Sequence, residues 1–177
     1  MNRDSVVQYL TSAKMLSYIA LGRAIFKDLP HIPQNVKESL MKIIPWLTII
    51  GAVLMAVAGI EHLMFAMGVR AIRILFGSST YWVLTGVLEL VAAYIAFLAF
   101  PLLKEKKYNG WVLLFWNCVL GLVMSVVTLA FVLGNLVGAV LAAAISFYLV
   151  YEFEPLYKSS MKSVMVSTDT KPKTNKK

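Results

Sequence analysis

The chain is poor in the residues from which most soluble chemistry is built. Its 177 positions hold one cysteine, two histidines and nine acidic residues. A single cysteine, Cys118, excludes a disulfide-stapled scaffold, because it has no partner in the chain. Two histidines without Cys-rich spacing argue against a dedicated metal site. No H-E-x-x-H, P-loop or Gly-x-Ser-x-Gly pattern occurs, so neither catalysis nor a cofactor is signalled by motif. Charge is scarce too: 15% of residues are charged and 59% hydrophobic, against about 25% and 45–50% in soluble domains. That excess excludes overall disorder, which needs low hydrophobicity. It also argues against a water-soluble enzyme, since so short a chain cannot hide so much apolar surface. An integral membrane protein of one domain remains.

The places where charge is missing define the spans. Residues 108–151 contain no Asp, Glu, Lys or Arg, a run of 44. A hydrocarbon core of about 30 Å takes about 20 helical residues to cross, so this run is two spans. Gly134-Asn135, two residues that tolerate positive φ, divides them into 111–133 and 136–153. Upstream, residues 43–60 are uncharged and Glu61-His62 interrupts without ending the pattern, giving a span over 43–69. Pro45 is expected in its first turn and Trp46 at the interface. The polar stretch 77–80 opens a further span over 81–103, which carries Glu89 and ends near Pro101. No segment shows the alternation of a β-barrel strand. The expected fold is all-α: a polytopic bundle of four transmembrane helices over residues 43–158.

Basic residues set the expected orientation. Fifteen of the seventeen Lys and Arg fall in the N-terminal segment, the 104–107 loop, or the tail together with Lys158 just before it; only Arg70 and Arg73 lie on the other side. Both termini are therefore expected in the cytoplasm. Residues 1–42 lack a clean apolar stretch for a signal peptide. They read as a cytosolic or interfacial helical segment: one short helix over 5–28, a stiff joint at Pro30-His31-Ile32-Pro33, and a helix start at Asn35 as N-cap with Glu38 three residues on. The tail, 159–177, is rich in Ser, Thr and Lys and predicts a disordered segment that anionic lipid can hold at about 1 kcal/mol per lysine. Without interleaved aromatics or a binding module, it does not predict nucleic-acid binding.

Two sets of residues stand out within the spans. Ionisable groups in a membrane are functional candidates by default, and Glu61, His62 and Glu89 form such a set. Glu61 and Glu89 each lie 14 residues from Leu75, which predicts similar depth and a proton shared between the two carboxylates. His62 lies about 100° round the helix from Glu61 and is expected to meet other neighbours. The second set is a pair of small-residue stripes at four-residue spacing, Gly134, Gly138, Ala142 and Ser146 against Asn117, Gly121 and Ser125. Such stripes let helices approach closely in lipid, either within the bundle or at an oligomer face.

From Pro101-Leu102-Leu103-Lys104 onward the chain resembles a family of small four-helix membrane proteins of uncharacterised function from small-genome candidate-phyla bacteria. The resemblance runs through Lys107, Gly110-Trp111, Leu113-Leu114-Phe115, Leu133-Gly134 and Leu136-Val137-Gly138. It closes on Phe147-Tyr148-Leu149 and Pro155-Leu156-Tyr157-Lys158, with looser similarity at Ile44-Pro45-Trp46-Leu47. Glu152 and Glu154 depart from it, standing where amide or basic residues are expected. The resemblance implies a bacterial inner membrane and no particular activity. The functional expectation is a non-enzymatic scaffold or small subunit, with the lipid bilayer, itself or another membrane protein as partner. The alternative is a small oligomeric proton- or cation-coupled channel using Glu61 and Glu89.

Overall fold

The computed structural model describes residues 3–26, 29–68, 79–131 and 136–169. The described residues form six helices and no strand: α1 (Arg3–Leu10), α2 (Ala13–Phe26), α3 (Gln34–Gly68), α4 (Ser79–Lys104), α5 (Tyr108–Phe131) and α6 (Leu136–Asp169). Four of them contain stretches long and apolar enough to cross a membrane, Gln34–Met67, Thr80–Lys104, Tyr108–Phe131 and Val137–Ser159. The all-helical, four-span class is therefore as the sequence indicates, and it is consistent with a multi-pass membrane protein. Arg70, Arg73, the Gly134-Asn135 turn and the lysines from Lys171 on lie outside the described residues.

The boundaries differ from expectation in three places, each for a local reason. The N-terminal segment is two helices, not one. Thr11 Oγ1 donates to the Val7 carbonyl (2.8 Å) and the Ser12 carbonyl accepts the Leu16 N–H (3.0 Å), so α1 closes and α2 starts afresh. A single helical wheel over this stretch mixes two faces and blurs both. The start of α3 is capped from Pro33, whose carbonyl accepts the N–H groups of Val36 and Lys37 (both 3.1 Å). Asn35 therefore sits inside the first turn, where its own carbonyl accepts from Ser39 Oγ (3.0 Å). From this start α3 runs unbroken through Pro45, which lies well inside the helix rather than in its first turn. Finally, α6 passes through Pro155 and continues to Asp169, so the first part of the tail is helical where composition predicts disorder.

The α4–α5 turn shows how tightly the chain reverses. Lys106 takes a left-handed φ of 54°. Its N–H donates to the Leu103 carbonyl (3.0 Å) and the Lys107 N–H to the Leu102 carbonyl (2.8 Å), the paired bonds of a Schellman cap. Gly110 then passes so close that a Cβ there would stand 2.7 Å from the Leu103 nitrogen. Only glycine fits, because the obstacle is backbone.

Sequential helices pack as antiparallel neighbours, α3 on α4, α4 on α5 and α5 on α6, while α1 lies on α5 and α2 on α6. The core is concentrated at one end. It joins Ile19, Met41, Leu103, Trp111, Phe115 and Tyr157. Aromatic donors fasten the N-terminal helices there: Trp116 Nε1 reaches the Leu10 carbonyl at the end of α1 (3.1 Å), and Tyr151 Oη the Ile19 carbonyl in α2 (2.9 Å). Trp111 Nε1 donates to the Val150 carbonyl (2.7 Å), tying α5 to α6. Each satisfies a polar group that would otherwise oppose burial. Away from this end the helices carry broad exposed apolar faces, above all on α3, with Leu47, Ile50, Leu54, Ile60 and Met64.

Candidate functional site

Glu61, His62 and Glu89 are arranged differently from the expectation. Glu89, buried on α4, pairs with His62 on α3, its Oε2 2.6 Å from His62 Nδ1. Glu61 is exposed and lies apart from Glu89. One residue of helix turns the side chain by about 100°, so of adjacent Glu61 and His62 only one faces α4. It is the histidine.

The pairing depends on a glycine crossing. Gly59 and Gly86 touch across α3 and α4: a Cβ on either would stand 2.9 Å from the other's carbonyl oxygen. His62 and Glu89 each lie three residues past one of these glycines, on opposite sides of the crossing. Side chains in a helix lean toward its N-terminus, so in antiparallel helices both lean back to the same point. Trp82 stands against the imidazole, with ring centroids 5.2 Å apart. Thr85, one turn before Glu89 on α4, is buried and its Oγ1 has no hydrogen-bond partner among the described residues. The site is thus a carboxylate and an imidazole sharing a proton position under an indole, beside a spare hydroxyl. Chemically it can hold or pass a proton.

The small-residue stripes face a common space without closing on each other. Asn117, Gly121, Ser125, Ala142 and Ser146 line a cleft of about 290 Å³ between α5 and α6, with Met55 of α3 at its edge. A Cβ on Gly121 would meet nothing within 4 Å. Ser125 Oγ and Ser146 Oγ bond back to their own helices, at the carbonyls of Gly121 (2.9 Å) and Ala142 (2.8 Å). Gly138 lies on α6, while Gly134 is outside the described residues. The cleft continues along α3 past Thr48 and Gly51.

A second polar site, not anticipated as such, joins the N-terminal segment to α6. Glu152 and Glu154 are 6% and 4% exposed. Glu152 accepts from Lys37 Nζ (2.7 Å), pairs with His31 Nδ1 (2.5 Å) and accepts the Ile32 N–H (3.1 Å). Glu154 takes a bidentate pair from Arg23, Lys158 Nζ at 2.9 Å and Tyr108 Oη at 3.3 Å. Tyr148 Oη adds a bond to the Pro30 carbonyl (2.5 Å). The hydrogen bond to Glu154, opposed by burial, raises the Arg23 guanidinium above its ordinary value, so it stays a cation. The sequence signal was two carboxylates, two residues apart, closing an apolar run on the basic side of the chain. These contacts bring the starts of α3 and α5 together against the middle of α6.

Among the described residues no three His, Cys, Asp or Glu side chains converge to hold a metal ion. Comparison of the chain with protein-family models, curated proteins and solved structures gives no match.

Proposed function

We propose that the chain is a multi-pass protein of a bacterial inner membrane, with both termini cytoplasmic, acting as a non-enzymatic scaffold or small subunit of a larger membrane assembly. The observation that carries this reading is the cleft between α3, α5 and α6. It is lined by small and hydrogen-bonding side chains, Asn117, Ser125 and Ser146 among them. In lipid, where association depends on close packing and interhelical hydrogen bonds, such a cleft suits a partner helix or a second copy. Purification in mild detergent followed by native mass spectrometry tests it. A complex that Gly121→Leu disperses is the expected result; a strict monomer recovered without partners contradicts the reading.

The His62–Glu89 pair favours a second reading, a proton- or cation-coupled carrier. It narrows the acidic group to Glu89 and leaves Glu61 outside. Flux in reconstituted vesicles should then fall in Glu89→Gln and persist in Glu61→Gln; equal flux in both removes the pair from any transport role.

A further inference from the structure

Two grooves lie side by side where α2 packs on α6, sharing the Phe26–Tyr151 pair as a wall. One, of about 490 Å³, is polar and lined by Arg23, His31, Lys37 and Lys158 around Glu152 and Glu154. The other, of about 650 Å³, is apolar and lies between α2, α5 and α6, along Tyr18, Trp116, Val119 and Phe147. Phe26 and Tyr151, whose rings stack with centroids 5.2 Å apart, line both, so the two grooves adjoin across this pair and one long ligand that lies over it reaches into each. Each volume falls within the range of about 300–1,000 Å³ usual for ligand sites.

The charge and its placement select the ligand. Arg23, Lys37 and Lys158 stand against two carboxylates, which leaves one positive charge in excess, before any on His31. Arg23 and Lys158 are 47% and 45% exposed, and each has donors left over from its pair with Glu154. Along α6 the lining passes from Lys158 through Glu154 and Tyr151 to Phe147, from charged to apolar over eleven residues, or about 16 Å of helix. A singly charged headgroup joined to an acyl chain has that profile.

We propose that this composite groove binds one anionic phospholipid, with its phosphate at Arg23 and Lys158 and an acyl chain against Phe26, Trp116 and Phe147. The inference rests on the reading of the chain as membrane-embedded, but not on the scaffold role. The site differs from the lysine tail, because it is a shaped groove with an apolar half. Binding would hold α2 against the bundle, since the lipid touches α2, α5 and α6 together.

Native mass spectrometry of the full chain, released from nanodiscs containing equal phosphatidylglycerol and phosphatidylcholine, tests the proposal. One retained phosphatidylglycerol, enriched at least about tenfold over phosphatidylcholine, is expected. Lys158→Gln, which leaves Arg23 on Glu154, should erase most of the enrichment. Val119→Trp, which fills the apolar half without changing charge, should lower total lipid retention; circular dichroism checks that each variant remains helical. Added inorganic phosphate should not displace the lipid, and displacement would assign the polar half to a free anion instead. Equal retention of both lipids, or enrichment unchanged in both folded variants, overturns the site. Carbonate extraction separates this failure from the other: release of the chain from membranes would refute the embedded reading, whereas an embedded chain without lipid preference refutes the site alone.

Discussion

The chain buries carboxylates at two places and supports them in different ways. Midway along α6, Glu152 and Glu154 are surrounded by cations from three segments, with the Ile32 N–H and Tyr108 Oη filling further acceptor positions. At the α3–α4 crossing, Glu89 pairs with His62 alone among the described residues, and two glycines let the helices touch there. The first arrangement holds separate pieces of chain together by charge. The second holds one polar pair in place by shape. Burying an ion is costly unless it is paired and hydrogen-bonded, and the two regions meet that requirement by opposite means.

The contrast can be broken most sharply at Glu152. Lys37 is only 13% exposed, so Glu152→Ala leaves a cation with little access to water. A loss of about 3–5 kcal/mol is expected, read as a lower Tm in detergent. Glu154→Ala should cost less, about 1.5–3 kcal/mol, because Arg23 and Lys158 are half exposed and water can take over their hydration. If the two variants are equally destabilised, burial of the partner cation is not what sets the cost.

At the crossing, Gly86→Ala drives a Cβ to 2.9 Å from the Gly59 carbonyl. Overpacking of this kind costs about 1–3 kcal/mol, and it should also part His62 from Glu89, seen as a shifted imidazole resonance. Gly121→Ala is the control, since nothing lies within 4 Å of its Cβ. There the better helix propensity of alanine should leave stability unchanged or raise it by up to about 1 kcal/mol, read as an equal or higher Tm. Smallest of all is Glu61→Gln. An exposed side chain with no structural duty should shift stability by less than about 0.5 kcal/mol, and a larger loss would mean that Glu61, not His62, belongs to the buried pair.

Much of the fold was legible because its cause is local in sequence. Long runs without charge form helices long and apolar enough to cross a membrane, and the two broken only by Glu61-His62 and by Glu89 kept their helical character. The ends of elements were less legible. Pro33 rather than Asn35 caps α3, because a cap depends on backbone geometry that both residues are able to supply. The two polar sites were legible in part. Glu89 was identifiable as an acid within an apolar run, but the sequence pointed to Glu61 as its partner rather than His62. The shared-proton expectation paired like with like by depth, whereas angle round the helix decides which side chain faces α4. Glu152 and Glu154 stood out only as departures from a resemblance. Their partners Arg23, His31 and Lys37 lie more than a hundred residues away, and no pattern along the chain marks that distance as contact. Of the small-residue stripes, Asn117, Gly121, Ser125, Ala142 and Ser146 line one open cleft, and spacing alone does not tell a closed seam from an open one.

The direct test of the clamp is amide hydrogen exchange across α2 in lipid nanodiscs, comparing the wild-type chain with Glu152→Gln/Glu154→Gln and with Glu89→Gln. Gln keeps the shape of each side chain and removes only its charge. The expected result is that α2 loses protection at least about tenfold in the double variant and keeps it in Glu89→Gln. Protection of α2 unchanged in the double variant, or lost equally in Glu89→Gln, would contradict the assignment of Glu152 and Glu154 as the residues that hold the N-terminal helices to the bundle.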